Sequence, residues 1–437
     1  MSKKQKNTNL DFLSFLKYAT SPYHAILSCS AYLEESGFER LDFTNYWKLE
    51  PGMSYYTILY GTTLFAFQIG KQITKEDSKF HIIASHTDHP GFRIKPNPCI
   101  YEKGYLKLNT ETYGGAILNS WFDRPLSIAG KVVLKSDKVF QPKIQYFDYQ
   151  LPLLTIPNLA IHMNHKINSG VELNKQQDML PIFSLEETKD ITKDYFLSFL
   201  SKELEVSYED ILDYDLSIYN PEQGCKLGLH EEFLSAPRID NLSSVYASLK
   251  AISQTDPLSS SIITVAAFYD NEEVGSSTKQ GADSYLTQII MEKIYQGLSF
   301  SRDALNNSIA RSFLLSADVA HGYHPNYGNK SDPTNLVSLG NGVVLKMNSS
   351  QRYATDSEAI GAIMQLCNLF HIPYQKFVNR SDMAGGSTLG SILSSHLPIH
   401  TVDLGIPILA MHSARETACE KDLEALSALC LAFYQHH

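Results

Sequence analysis

The apolar residues of the first forty positions recur with the spacing of α-helices. The segment LDFLSFLKYA has the period of an amphipathic helix, interrupted by Asp11 and Lys17. A second helix is predicted from Ser21 as N-cap and Pro22 as the first helical residue, followed by YHAILSCSAYLEESG and a stop at Gly37. The chain is therefore predicted to begin with two helices.

The pattern then changes to that of β-structure. The segment MSYYTILYGTTLFAFQIG alternates β-branched and aromatic residues around a Gly-Thr-Thr turn, which predicts a β-hairpin. An apolar run at residues 80–84 predicts a further strand, and SHTDHPGFRIKP follows it directly. Two histidines and an aspartate at this place are typical of a strand end that holds a ligand or a metal.

The middle of the chain has a mixed pattern. Short strand-like runs such as GKVVLKS and KIQYFDYQ precede a charged stretch, from residue 185 to about residue 212, that favours a helix. Few clustered ionisable residues occur between residues 95 and 233. We interpret this β-rich part as an insertion.

Helices and strands alternate after Pro237. The predicted helix NLSSVYASLKAI is followed by the strand SSIITVAAFYD, and the strands SFLLSADVA and PIHTVDLG come later, with helices between and after them. Alternation of this kind is typical of an α/β domain with a largely parallel sheet and helices on both faces. We predict a discontinuous α/β domain, residues 1–94 and 234–437, into which residues 95–233 are inserted.

Composition and charge limit the classes of partner. The chain has 437 residues, 43% of them hydrophobic and 19% charged, which predicts a folded protein of about two domains. A formal net charge of -10 argues against nucleic acid or an anionic membrane as the main partner. No segment approaches the roughly 20 apolar residues of a membrane span. Six cysteines without CxxC pairing disfavour a disulfide framework, so we expect a cytoplasmic protein.

Ionisable residues follow the predicted strands of the α/β domain. In open α/β sheets, ligands bind at the carboxyl ends of the strands. The residues at these places are His86 and Asp88, Asp240 in the motif RIDN, Glu272 and Glu273, Asp318 and His321, and His412 in AMHSARE. Each alone is more often a structural residue, a helix cap or a solvated charge, but their joint occurrence at successive strand ends favours a site.

The types of these residues indicate metal-assisted hydrolysis. His86 and Asp88 are two residues apart, so on an extended backbone they share a face, and the carboxylate can orient the imidazole. On a strand Glu272 and Glu273 would point to opposite sides, one able to bind a metal and the other to face water. Two histidines with three carboxylates suit two divalent cations about 3.5–4 Å apart, most simply zinc, with one carboxylate bridging.

Seven blocks resemble, in order and spacing, the motifs of the M18 metalloaminopeptidases, the family of aspartyl aminopeptidase and vacuolar aminopeptidase I. They are SHTDHPGFRIKP, NSWFDRPLSIAG, APRIDN, DNEEVGSS, SADVAHGYHPNYGNK, NSSQRYATDSEA and DLGIPILAMHSARE. The resemblance spans residues 20 to 416. The chain departs from the family pattern at Ala384 and Gly385, where Pro-Cys is expected, and at His89, where a small residue is expected. None of these positions is a metal ligand in the family.

The resemblance implies a role for each candidate residue. The implied ligands are His86, Asp240 and Glu273 for one zinc, and Asp240, Asp318 and His412 for the other. Glu272 is implied to be the general base, which takes a proton from the attacking water and passes it to the leaving amine. Asp88 is implied to hold His86. Cobalt or manganese is expected to substitute for zinc.

The resemblance also implies contacts between subunits and a substrate preference. His162, in the block IPNLAIHMNH, matches a histidine that reaches the active site of a neighbouring subunit, with His165 as the alternative. The family forms tetrahedral dodecamers built from dimers, so we expect an oligomer in which the insertion serves for dimerisation. Lys346, in VVLKMNSSQRYAT, matches a lysine that faces an acidic first residue of the substrate. The alternative is that Lys346 pairs with a local carboxylate such as Asp356.

We therefore predict a two-zinc aminopeptidase that removes N-terminal residues from peptides, with acidic residues preferred. One alternative is a deacylase or carboxypeptidase of the related two-zinc class, which would not require a free α-amine. Another is a catalytically inactive assembly scaffold. The presence of all five implied ligands together with Glu272 argues against the scaffold.

Overall fold

The structure, a computed structural model, describes residues 11–185 and 195–436. The described helices, numbered in chain order, are α1 (Phe12–Tyr18), α2 (Pro22–Glu35), α3 (Tyr195–Leu204), α4 (Ile239–Gln254), α5 (Leu286–Gly297), α6 (Arg302–Ile309), α7 (Ser357–Leu369), α8 (Leu389–His396) and α9 (Glu420–Gln435). No helix in this part of the chain is both long and apolar enough to cross a membrane.

The described strands lie in four sheets. They are β1 (Glu39–Arg40), β2 (Ser54–Leu59), β3 (Thr63–Ile69), β4 (Phe80–His86), β5 (Gly91–Glu102), β6 (Tyr105–Tyr113), β7 (Ser127–Leu134), β8 (Lys143–Asp148), β9 (Ile182–Leu185), β10 (Ile211–Tyr219), β11 (Cys225–Leu227), β12 (Phe233–Ala236), β13 (Ile263–Tyr269), β14 (Phe313–Ala317), β15 (Ala320–His321), β16 (Val343–Lys346), β17 (Tyr374–Phe377), β18 (His400–Gly405), β19 (Pro407–Ile408) and β20 (Glu416–Cys419).

The main sheet has nine strands in the order β1-β2-β3-β13-β4-β14-β18-β16-β17. The four central strands β13, β4, β14 and β18 run parallel to one another. Antiparallel pairings join β3 on one side and β16 on the other. The carboxyl ends of the central strands therefore meet at one edge of the sheet, and the predicted α/β architecture with a largely parallel sheet is confirmed.

Helices cover both faces of the main sheet. Ile83 of β4 belongs to a core that includes residues of α2, α4 and α9, whereas Ile82 and Ala84 belong to a second core with residues of α5 and α8. Successive residues of a strand face opposite sides, so both sets are buried. The unbroken apolar runs of β4 and β13 follow from this two-sided burial.

A second sheet, which we call the inserted sheet, has six antiparallel strands in the order β8-β7-β10-β5-β6-β9. It is built from strands that lie between residues 91 and 219 and has its own apolar core, to which α3 contributes. The chain leaves this sheet through β11 and β12, and β12 pairs with β20 near the C-terminal helix.

Most of the elements predicted from the sequence are confirmed. Ser21 caps α2, and the hairpin forms from β2 and β3. The helix predicted up to about residue 212 is wrong at its end, because α3 stops at Leu204 and Ile211–Tyr219 forms β10. Residues of β10 such as Leu216 and Ile218 are buried in the inserted sheet's core. Pairing of β10 with β7 therefore overrides the local helical pattern of the sequence. Residues 186–194 of that prediction lie outside the described residues.

Candidate metal centre

The candidate residues gather at the carboxyl edge of the central parallel strands. Strand β4 ends with His86, and Asp318 directly follows β14. Asp240 lies in the first turn of α4, where the backbone departs from helical angles. The other three candidates are Glu272 and Glu273, in a 3₁₀ turn that begins three residues after the end of β13, and His412, four residues after β19.

Asp240 lies between the two histidines. Its Oδ1 is 3.5 Å from His86 Nε2, and its Oδ2 is 3.3 Å from His412 Nε2. His86 Nε2 also lies 3.6 Å from Asp318 Oδ1, and His412 Nε2 lies 3.4 Å from Glu273 Oε2. Three groups of possible ligands have ligand atoms within 4.8 Å of one another, namely His86-Asp240-Asp318, Asp240-Glu273-His412 and His86-Glu272-Glu273. Asp240 belongs to the first two.

The two groups that share Asp240 differ from the ligand partition that the family resemblance implies. Glu273 lies with His412, and Asp318 lies with His86. The register between β4 and β14 places Ser316 opposite Ala84, so Asp318 comes level with His86 two residues later. The expected divergence of Glu272 and Glu273 along a strand is also wrong, because a 3₁₀ turn, Glu272–Val274, holds both residues.

Both imidazoles present Nε2 to the centre. His86 Nδ1 contacts the backbone carbonyl of Asp88 at 3.0 Å, and His412 Nδ1 contacts that of Gly115 at 3.2 Å. A histidine that donates one N–H to a carbonyl has the other nitrogen free to bind a metal. Both side chains are therefore oriented as ligands.

Two buried oxygens support occupation of the centre by a cation. Among the described residues, Asp240 Oδ1 and Glu273 Oε1 have no hydrogen-bond partner. A buried polar atom without a partner costs about 1–3 kcal/mol, so native structures rarely leave one unexplained. Neutral imidazole nitrogens and carboxylate oxygens are ordinary zinc ligands. The residues present thus fit divalent metal.

The charged groups of the centre change one another's pKa values. Burial, and then the neighbouring Asp318, raise the pKa of Glu272 to about 8, although His86 opposes them. Burial and Asp240 raise the pKa of Glu273 well above its ordinary value. Burial would lower the pKa of His86, but the adjacent Asp240 and Asp318 raise it well above its usual value. The crowded carboxylates therefore disfavour one another's charged forms, and a cation would relieve this repulsion.

Asp88 contacts more than the histidine it was expected to orient. Its Oδ1 lies 3.3 Å from His86 Nδ1, but the backbone carbonyl makes the closer contact. The two carboxylate oxygens accept the backbone N–H groups of Glu272 and Glu273, each at 3.1 Å. Tyr113 Oη also donates to Asp88, at 2.7 Å. The carboxylate therefore holds the 3₁₀ turn as well as the histidine.

Two contributors were not recognised in the sequence. Glu416 accepts the backbone N–H groups of Asp240 and His412, at 3.0 and 2.8 Å, and burial together with Asp240 raises its pKa to about 8. It lies in the block AMHSARE, but no spacing marks it as a partner of Asp240. Tyr113 ends β6 of the inserted sheet, and only tertiary packing brings it to Asp88.

Lys346 lies in the same cavity as the metal ligands. The cavity has a volume of about 180 Å³, and His86, Asp318 and Lys346 are among its walls. Lys346 is buried, with Nζ 3.8 Å from Asp318 Oδ2 and 3.1 Å from the carbonyl of Val319, to which it donates. Burial would lower its pKa, but the charge of Asp318 raises it. The alternative, a pairing of Lys346 with a local carboxylate, holds for Asp318, whereas the named example, Asp356, is wrong because it caps α7.

The remaining histidines lie outside the ligand groups. His321 lines the cavity, and burial, followed by the charge of Lys346, lowers its pKa. His162 and His165 are in the loop between β8 and β9, where His162 is exposed. Within residues 11–185 and 195–436, no recorded contact joins His162 to the metal ligands of its own chain.

Comparisons with known proteins agree over nearly the whole chain. The model of the family described as aminopeptidase I zinc metalloprotease (M18) matches residues 15–434. A probable M18 family aminopeptidase 2 of Clostridium novyi (strain NT) is 44% identical over 417 residues, which cover 95% of this chain and 95% of that protein.

Solved structures give the same result. A cryo-EM structure of the Ape4 and Nbr1 complex contains a chain with a TM-score of 0.93 and 36% identity, and the match covers 98% of this chain and 86% of that one. A structure of the S. cerevisiae mApe1 dodecamer has a TM-score of 0.85 and 26% identity, with 99% and 97% of the two chains covered. The likeness therefore includes both the main sheet and the inserted sheet.

Proposed function

The chain belongs to the M18 family of zinc metalloproteases and is an aminopeptidase, and we propose that it works with two zinc ions at the centre described above. The observation that carries this proposal is the position of Asp240, whose two carboxylate oxygens face different histidines. His86, Asp240 and Asp318 would hold one ion, and Asp240, Glu273 and His412 the other. Cobalt or manganese would bind the same ligands.

Glu272 is the proposed general base. Bound zinc would supply Lewis acidity to the scissile carbonyl and to the attacking water. Both glutamates line the cavity, but the side chain of Glu272 is 15% exposed and that of Glu273 only 4%, so Glu272 is the more accessible carboxylate. Its carboxylate would accept a proton from the attacking water and pass it to the amine that leaves. Asp88 would act as a positioning residue for His86 and for the turn that carries Glu272.

The proposed preference for acidic N-terminal residues depends on Lys346. Its ammonium group is buried in the cavity and lies near Asp318 rather than in a tight ion pair, at 3.8 Å. A charge-assisted hydrogen bond from Nζ to a substrate carboxylate would favour Asp or Glu over neutral residues. The departures at Ala384 and Gly385 do not remove this group, since neither residue lines the cavity.

We further propose that residues 95–233 form a dimerisation domain and that the catalytic domain comprises residues 1–94 and 234–437. Apolar side chains next to His162, namely Leu159, Ile161 and Met163, are exposed in this chain. Clusters of exposed apolar residues are typical of association surfaces. His162 would then contact the substrate in a neighbouring subunit, and the mApe1 dodecamer is the type of assembly we propose. The six cysteines are free thiols, which suits the proposed cytoplasmic location.

A substrate screen tests the proposed function. Purified protein is supplied with zinc, cobalt or manganese and offered aminoacyl chromogenic substrates, beside the same substrates with an acetylated α-amine. We expect turnover of the free amines only, loss of turnover on chelation, and two ions per chain by metal analysis. Equal turnover of acetylated substrates would indicate a deacylase, and one ion per active chain would contradict the two-metal centre.

A further inference from the structure

The end of β6 reaches from the inserted sheet into the metal centre. Tyr113 is the last residue of β6, and its phenol donates a hydrogen bond of 2.7 Å to Asp88 Oδ2. Asn271 Nδ2 donates to the same phenol at 2.8 Å. The guanidinium carbon of Arg93 lies over the Tyr113 ring, 4.2 Å from its centroid. The phenol is thus held on three sides.

The hydrogen bond from Tyr113 acts on both glutamates through one carboxylate. Asp88 Oδ2 accepts the phenol of Tyr113 and the backbone N–H of Glu273, and Oδ1 accepts the N–H of Glu272. Burial and the charge of Asp88 raise the pKa of Tyr113, so the phenol keeps its proton and remains a donor. A carboxylate with three fixed donors has a defined rotation, and so does the turn that it holds.

Gly114 and Gly115, which follow Tyr113, extend the contact between the inserted sheet and the metal centre to Glu273 and His412. The Gly115 carbonyl accepts His412 Nδ1 at 3.2 Å, and the N–H of Ile117 donates to the His412 carbonyl at 2.9 Å. Gly114 has a φ of +67°, and a Cβ at this position would lie 3.2 Å from the Cβ of Glu273. Glycine therefore permits both the backbone angle and the close approach to a ligand.

We propose that residues 113–115 are positioning residues for the metal centre, so that the inserted sheet sets the affinity of the centre for zinc. The phenol of Tyr113 orients Glu272 and Glu273 through Asp88, and Gly115 orients His412. This inference rests on the proposed two-metal function. It gives the inserted sheet a second task within its own chain, in addition to the proposed contact with a neighbouring subunit.

The test compares two phenol deletions in the inserted sheet. Tyr113→Phe removes the bond to Asp88, and Tyr214→Phe is the matched control, because Tyr214 also donates at 2.7 Å, but to the carbonyl of Lys95. Zinc dissociation constants are measured on the full-length protein by competition with a chelator. Loss of a group that orients a ligand costs roughly 10- to 100-fold in metal affinity. We expect this weakening for Tyr113→Phe and little change for the control, with excess zinc restoring turnover.

A second pair of variants tests the same inference if Tyr113→Phe does not fold. Gly114→Ala adds a Cβ against Glu273, whereas Gly170→Ala has similar backbone strain, with a φ of +92° and no atom within 4 Å of the added Cβ. Weaker zinc binding in Gly114→Ala alone supports the inference. If wild type binds zinc and the variants at positions 113 and 114 bind it equally well, the inference is overturned. If wild type binds no zinc, the proposed function itself fails.

Discussion

The two large sheets of this protein differ in the number of buried charged side chains around them. The inserted sheet, in its described residues between 91 and 219, buries no charged side chain, and its core is apolar. Around the carboxyl edge of the main sheet, charged groups are buried, among them Asp88, Asp240, Lys346, Asp403 and Glu416 of the nearby strand β20. Burial of charge costs free energy unless partners or metal ions compensate it, so it marks the region of chemistry.

Exposed apolar residues occur in both parts of the molecule, and those of the inserted sheet include two loop clusters. Val139 and Phe140, at the tip between β7 and β8, are 85% and 98% exposed, and the loop with His162 exposes Ile161 and Met163. Apolar area left in water indicates a surface for association rather than for catalysis. The molecule thus divides catalysis and proposed assembly between two sheets, which meet at residues 113–115.

The largest expected effect follows from removing one buried carboxylate. Glu272→Gln should keep the fold and the metal but lower turnover by roughly 10²- to 10⁴-fold, because the amide cannot accept the proton. Glu111→Gln is the control, since Glu111 is an exposed carboxylate on the inserted sheet. Turnover and metal content are measured for both. Near-native turnover in Glu272→Gln would exclude this residue as the base.

A smaller effect is expected from replacing the buried lysine, Lys346. Lys346→Met should reduce the preference for acidic over leucine-initiated substrates by roughly 10- to 100-fold, as expected for a hydrogen bond to a charged group. Lys95→Met, on the inserted sheet, provides the control, because the Lys95 ammonium group donates to the exposed Gln176, away from the cavity. The measurement is kcat/KM for Asp-, Glu- and Leu-initiated substrates. A wild-type preference for leucine would contradict the role of Lys346, as would an unchanged ratio in the variant.

Mixing inactive subunits tests whether the inserted sheet also acts on a neighbour. Subunits with His162→Ala are assembled together with subunits with Glu272→Gln. In a two-fold dimer each hybrid has one intact site, so random mixing should recover roughly a quarter of wild-type turnover. The control mixes His162→Ala with the double variant, which leaves no intact site. Verified hybrids without recovery would show that His162 does not act in trans.

The smallest effect concerns stability after metal removal. The folded-state pKa values of Glu272 and Glu416 are raised to about 8, and that of Glu273 is also raised, by burial and nearby carboxylates. A raised carboxyl pKa contributes stability that is present below the unfolded pKa and is lost as pH rises through the folded value. The melting temperature of chelated protein should therefore fall by several degrees between pH 6 and pH 8.5. Zinc-loaded protein is the control. An equal fall of the melting temperature in both samples would contradict the repulsion between the buried carboxylates of the metal-free centre.

The candidate residues of the centre can be found in the sequence for a physical reason. A strand buried on both faces is a continuous apolar run, and the residue that follows it must lie at the sheet edge. His86 after β4 and Asp318 after β14 are therefore visible in a single sequence. The strands β16 and β17 were missed because Val343–Lys346 and Tyr374–Phe377 are too short to show a periodicity.

The grouping of these members was decided by tertiary structure. Which carboxylate lies beside His86 depends on the register of β14 against β4, and sequence spacing contains no information about that register. The same holds for Tyr113, which is 25 residues from Asp88 and belongs to another sheet. Periodicity along the chain determined the strands and the polar residues at their ends. Pairing between distant segments determined which of these residues contact one another.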